Sequence, residues 1–226
     1  MDESLQPIPS QAALLTIDVQ NDFTLPDAPA KIPGTYDAVG RMRRVVEAFR
    51  DANRPIVHVV RFYRSGGSNV DRCRRGAIED GAEIVRPGSD GAELVSALKP
   101  RDDVTLDAES LLDGEFQAIG DDEWVMYKPR WGAFYRTPLE DHLDDLGVTT
   151  VVVCGCNFPN CPRTTVYEAS ERDYRLAFVP DATSGTYDRG LAELEGIGVA
   201  VLDADETADW IRSGPDDQPP GEIGEM

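Results

Sequence analysis

A chain of 226 residues with 41% hydrophobic residues is long enough for one domain with a substantial core. Its net charge of −20, spread along the whole chain, leaves no basic face for nucleic acid, and no apolar segment reaches the length of a membrane span. With only four cysteines and no signal-peptide character in MDESLQPIPS, the chain reads as a soluble cytoplasmic protein without membrane or nucleic-acid partners.

Short apolar runs alternate with helical patterns from one end to the other. Strands are expected at 12–19 (AALLTIDV), 55–61 (PIVHVVR), 124–128 (WVMYK), 150–155 (TVVVCG), 175–179 (RLAFV) and 199–202 (VAVL). Their β-branched content and continuous apolarity suit strands buried on both faces. Amphipathic stretches lie near 37–52, 91–98, 138–146, 162–173, 189–194 and 206–213. The alternation predicts a three-layer α/β/α domain over 1–213, with a mostly parallel, six-stranded, doubly wound sheet of Rossmann-like type. The insertion 62–90 is long, polar and rich in Gly and Arg, so it is expected to shape a pocket or a subunit contact. The acidic segment 214–226 reads as a mobile tail or an arm to a neighbouring subunit. Only three of the 22 basic residues are lysines: Lys31, Lys99 and Lys128. An evenly acidic, lysine-poor surface resembles that of halophilic proteins.

Three of the four cysteines fall within VVVCGCNFPNCPRTTVYEASERD (151–173). Cys154 and Cys156 share one face of a strand and read as small buried residues. A zinc site would want Cys-x-x-Cys pairs or nearby histidines, and His58 and His142 are distant in sequence, so no metal is expected. Cys161, followed by Pro162, falls at a helix start, where free amides and the helix dipole favour a thiolate. It is the candidate nucleophile, although an inert buried thiol is the commoner fate of cysteine.

Ligands of an open parallel sheet bind beyond the carboxyl ends of its strands. Asp18, Lys128 and Cys161 all sit at or just past such ends. The carboxylate can take the thiol proton while the ammonium favours both anions, an arrangement suited to acyl transfer through a thioester. Taken singly, Asp18 could be turn chemistry in DVQNDF and Lys128 a surface lysine.

Four segments in order, LLTIDVQNDF, YKPRWGAFYRTPLEDHLDDLGV, GCNFPNCPRTTVYEA and FVPDATSG, resemble the isochorismatase-like cysteine hydrolases. That family includes N-carbamoylsarcosine amidases, nicotinamidases and isochorismatases, and the likeness spans roughly residues 12–203. It implies Asp18 as general base, Lys128 as the catalytic lysine and Cys161 as nucleophile, with Gly155, Thr165, Asp181 and Ala182 at further motif positions. It also implies a cis peptide bond between Cys156 and Asn157, an oxyanion hole from the backbone N–H groups of Asn157 and Cys161, and a homodimer or homotetramer. The chain departs from the pattern at Phe158, where threonine is usual, and at Pro159 and Pro162. Nicotinamidases carry a metal-binding Asp-x-His after the second strand. The corresponding HVVRFYRSGG keeps only His58, better explained as a strand residue with a satisfied ring, so neither metal nor other cofactor is expected.

The implied activity is hydrolysis of an amide or carbamoyl C–N bond of a small molecule, releasing ammonia. Vinyl ether hydrolysis on the same fold does not need a thiol, and the presence of Cys161 favours the first reaction. A binding protein that has lost catalysis, its pocket blocked by Phe158, is the alternative from another class. Arg61, Arg64 and Arg130 could bind a carboxylate if the substrate is anionic. Phe23, Trp131, Phe134, Tyr135 and Phe158 are expected to face it. The competing expectation is that Arg64, Arg72, Arg74 and Arg75 form a solvated basic loop or an intersubunit ion pair.

Overall fold

The run AALLTI folds as β1 (Ala12–Ile17), with every residue buried. β2 (Ile56–Val60) and β5 (Thr150–Gly155) flank it in parallel, placing Ile56 and Val152 on either side of Leu14, and both are buried throughout. Such double burial is what continuous apolar runs in a parallel sheet require. β4 (Glu123–Tyr127) adds to β2, while β6 (Arg175–Thr183) and β7 (Ala200–Val201) extend the other side. The computed structural model describes residues 3–213; the tail expected at 214–226 lies outside them.

All six expected strands form, and a seventh joins them. β3 (Gln117–Gly120) runs antiparallel to β4 and closes the sheet in the order β3-β4-β2-β1-β5-β6-β7. Its residues are mostly half-buried or exposed, so the sequence QAIG carries no continuous apolar signal. The helix expected at 91–98 is instead two 3₁₀ turns, Asp90–Ala92 and Ser96–Leu98. The backbone between them is held extended: Leu94 bridges Gln20, and the amide of Val95 donates to the Val19 carbonyl at 3.2 Å.

Alternation along β1 divides the core into two layers. Ala12 and Leu14 pack with Met42, Val45 and Phe49 of α2 (Thr35–Asp51) and with Ala208 and Ile211 of α8 (Ala204–Arg212). Ala13, Leu15 and Ile17 face the opposite helices, α5 (Leu139–Asp145), α6 (Cys161–Ser170) and α7 (Asp188–Glu195), through Leu143, Val166 and Leu194. A third cluster gathers Phe23 from α1 (Asn21–Thr24), Ile78 from α3 (Arg72–Glu79) and Leu111 from α4 (Ala108–Leu112) around Phe62 and Val125. The chain adds strands on one side of β1 before β5 begins the other side. The order therefore reverses between β1 and β5, which is where an open sheet of this kind offers a crevice.

Candidate active site

Asp18 leaves β1 at that crevice with φ 55°, a left-handed conformation that Asp tolerates better than most residues. Its neighbour across the crevice is Gly155, at φ 123°, where a methyl group would overlap the carbonyl of Ile17, so only glycine fits. The amide of Cys156 donates to Ile17 O at 2.8 Å and its thiol to Asp18 O at 3.1 Å. Cys156 thus fastens the end of β5 to the end of β1 while Cys154 packs in the core. The cis peptide bond lies between Cys156 and Asn157.

Lys128 follows β4 and is fully buried, its Nζ donating to Asp18 Oδ2 at 2.8 Å and to the carbonyl of Arg130 at 3.3 Å. Asp18 Oδ1 is buried and has no hydrogen-bond partner. Since Lys128 occupies Oδ2, Oδ1 is the atom left to accept a proton. Cys161 begins α6 and lines the same cavity as Asp18. Its thiol departs from expectation: burial first, and then the charge of Asp18, push its pKa up to about 12, outweighing Lys128 and Arg61, which act to lower it. The helix N-terminus is outweighed because the thiol is desolvated beside an anion. Cys161 therefore rests as a protonated thiol next to a carboxylate.

The cavity, about 300 Å³, is lined among others by Asp18, Cys156, Asn157, Asn160 and Cys161. The backbone amides of Asn157 and Cys161 donate to no protein group among the described residues, so both are free for a ligand oxygen. Arg61 lines the wall, 2% exposed, with Nη2 2.5 Å from Asp71 Oδ2 and its guanidinium 5.2 Å from the centre of the Tyr63 ring. Burial works against its charge, but Tyr63, Asp18 and Asp71 hold its pKa above the usual arginine value.

Of the aromatic residues expected to face substrate, Phe23 and Trp131 line the cavity and three do not. Phe134 is buried among core residues beside Tyr174 and beneath Arg172. Tyr135 is 43% exposed and lines a separate outer hollow with Arg130. Phe158 is fully buried against Phe178 and Tyr187, its amide donating to Ser184 O at 2.8 Å. Gly190 leaves room for its ring, since a methyl group there would overlap it. Phe158 thus fills core on the far side of the loop and does not obstruct the cavity. Arg64 is exposed, and Arg130 is engaged with the carbonyls of Pro129 and Asn69.

The insertion 62–90 supplies Tyr63, Asp71, Cys73 and Arg74 to the cavity wall. None was named for this role from sequence. The available signal was Asp71, an N-cap residue type directly before RCRRGAIE, which forms α3. His58 is a strand residue with both ring nitrogens engaged, by Thr16 Oγ1 at 2.7 Å and Glu123 Oε1 at 2.8 Å. Among the described residues no group of three or more His, Cys, Asp or Glu is placed to hold a metal, and no helix is long and apolar enough to cross a membrane.

Comparison with known proteins points to one family. The isochorismatase domain model matches residues 12–206. A probable inactive nicotinamidase of Arabidopsis thaliana is 32% identical over 195 residues, covering 83% of this chain and 89% of that protein. A ureidoacrylate amidohydrolase of Methylobacterium radiotolerans is 29% identical over 193 residues, covering 77% and 67%. Among solved structures, an isochorismatase family protein of Desulfovibrio vulgaris superposes with a TM-score of 0.75 at 29% identity, covering 88% of this chain and 97% of that one.

Proposed function

Because the chain belongs to the isochorismatase family, we propose that it is a hydrolase that cleaves the C–N bond of a small amide or carbamoyl compound through a thioester on Cys161. One observation carries this reading: a buried carboxylate, Asp18, is neutralised by Lys128 on one oxygen and left unpartnered on the other, beside a thiol on the same cavity.

In the first step Cys161 Sγ attacks the carbonyl carbon as its proton passes to Asp18 Oδ1. Proton transfer coupled to attack suits a thiol whose pKa burial has raised, because no stable thiolate need form first. The oxyanion is received by the amides of Asn157 and Cys161, in a cavity where such donors act with little competing water. The proton on Asp18 then passes to the leaving nitrogen, which departs as ammonia and leaves an acyl thioester. Asp18, again a carboxylate, takes a proton from water as its oxygen attacks the thioester, and collapse returns the acid and the thiol. Lys128 holds Asp18 in place and offsets its charge whenever it is ionised.

The test is ammonia release from a panel of small primary amides and ureas by the parent protein and Cys161→Ala. Release that falls by at least about a thousandfold in a normally folded variant supports the nucleophile. Ammonia release that persists in Cys161→Ala means that the C–N bond is cleaved without a thioester on Cys161; a parent protein inert toward amides that hydrolyses a vinyl ether equally with and without the thiol points to the other reaction. A parent protein that binds these compounds and turns over none is a binding protein.

A further inference from the structure

The cavity wall holds two ion pairs and one remaining charge. Asp18 is matched by Lys128 at 2.8 Å and Asp71 by Arg61 at 2.5 Å. Arg74, on the first turn of α3, lines the same cavity, and its guanidinium makes no hydrogen bond or ion pair among the described residues. Its contact is with the face of Phe23, 5.7 Å from the ring centre, another cavity residue. Carboxylates are plentiful in this protein of net charge −20, where Asp and Glu outnumber Lys and Arg by 42 to 22, yet among the described residues none pairs with Arg74 at this cavity. A second donor is also unmet: Nε of Arg61 is buried without a partner.

From this we infer that Arg74 selects the substrate: the cavity takes a small amide or carbamoyl compound that also carries one carboxylate, which Arg74 holds over Phe23 while the reacting carbonyl sits at Cys161. The inference rests on the hydrolase reading for the reacting end and adds the charge at the other. Arg61, to which the sequence pointed, is already neutralised by Asp71 and serves as wall. A planar guanidinium suits bidentate recognition of a carboxylate, and its stacking on an aromatic ring fixes its orientation. The about 300 Å³ available admits a molecule of small size with a short body packed between Phe23, Ile32 and Trp131.

Iodoacetate and iodoacetamide have nearly the same shape and differ by one negative charge, so they read the charge preference of the cavity without turnover. Labelling rates at Cys161, located by mass spectrometry, are compared for the two reagents in the parent protein, Arg74→Gln and Arg74→Lys, each in a Cys73→Ser background. Free N-acetylcysteine amide, which carries no carboxylate of its own, supplies the intrinsic ratio. The expected result is a rate for iodoacetate relative to iodoacetamide about tenfold above that of the free thiol, the scale of one charge-assisted hydrogen bond. The excess should be lost in Arg74→Gln and largely kept in Arg74→Lys, with iodoacetamide labelling changing far less. With both reagents applied at a pH where Cys161 reacts, a ratio no higher than the free thiol's, or an excess indifferent to Arg74→Gln, overturns the inference. Ammonia release separates the two claims. An anionic preference without turnover keeps Arg74 and loses the hydrolase; hydrolysis of neutral amides without the preference does the reverse.

Discussion

Glu123, which opens β4, and Lys128, which follows its end, are both buried in ion pairs, yet their surroundings differ. Glu123 takes Arg50 Nε on Oε2 at 2.8 Å, and Arg50 Nη2 at 2.7 Å and His58 Nε2 at 2.8 Å on Oε1. His58 in turn meets Thr16, its register partner on β1, so none of these side chains keeps a buried polar atom without a partner. At the other end of the strand Lys128 serves only one oxygen of Asp18, and the second is bare, as is Nε of Arg61 on the cavity wall. A saturated buried network fixes the register of three strands; an unsaturated one holds free a group that can take up a proton or a ligand. The same sheet thus separates structure and chemistry by strand end.

Substitutions at the two ends of β4 should therefore fail in different ways. Lys128→Met should lower kcat for ammonia release by about a hundredfold to a thousandfold, since it removes the charge that positions Asp18. Glu123→Ala should cost about 3 kcal/mol in denaturant unfolding, because Arg50 and His58 lose a shared buried partner, while kcat per folded molecule stays as in the parent. Equal losses of stability and kcat in both variants would erase the distinction. Acid gives the same contrast. Burial would raise the pKa of Glu123, but its hydrogen bonds to Arg50 and His58 lower it to about 2. Its contribution is present above the unfolded carboxyl value and is lost as pH falls from the ordinary 4.5 toward about 2. Glu123→Gln should flatten that part of the stability profile.

Smaller effects sharpen the boundary of the site. Phe158→Leu should lower stability by about 1–2 kcal/mol and leave KM unchanged, because its ring packs against Phe178 and Tyr187 away from the cavity. Tyr135→Ala, at an exposed position, should change stability by less than about 0.5 kcal/mol and kcat/KM not at all. A rise in KM in either variant would return these aromatic residues to the substrate side.

The frame of the fold was legible because buried parallel strands are written as continuous apolar runs, and all six of those runs became strands. Asp18, Lys128 and Cys161 could be picked out because strand ends in such a sheet converge. β3 escaped because an edge strand with half-exposed residues has no such run. The insertion 62–90 was legible as a segment that shapes a pocket, but its wall residues were not: Tyr63, Asp71 and Arg74 reach the cavity only because 62–90 folds back through α3, a tertiary event without a local pattern. Phe134, Tyr135 and Phe158 were misplaced because an aromatic residue near a motif reads the same whether its ring turns to the cavity or away. The thiol was misjudged because a helix N-terminus is visible in sequence and desolvation is not.

The most direct test follows iodoacetamide labelling of Cys161 against pH in the parent protein and in Asp18→Asn, beside ammonia release from the same samples. The account predicts a parent midpoint far above that of an ordinary thiol. It should move down when the carboxylate charge is removed, while ammonia release collapses, because the thiol ionises more readily yet has lost its proton acceptor. A parent thiol already ionised at neutral pH, or a midpoint and a turnover indifferent to Asp18→Asn, would contradict it.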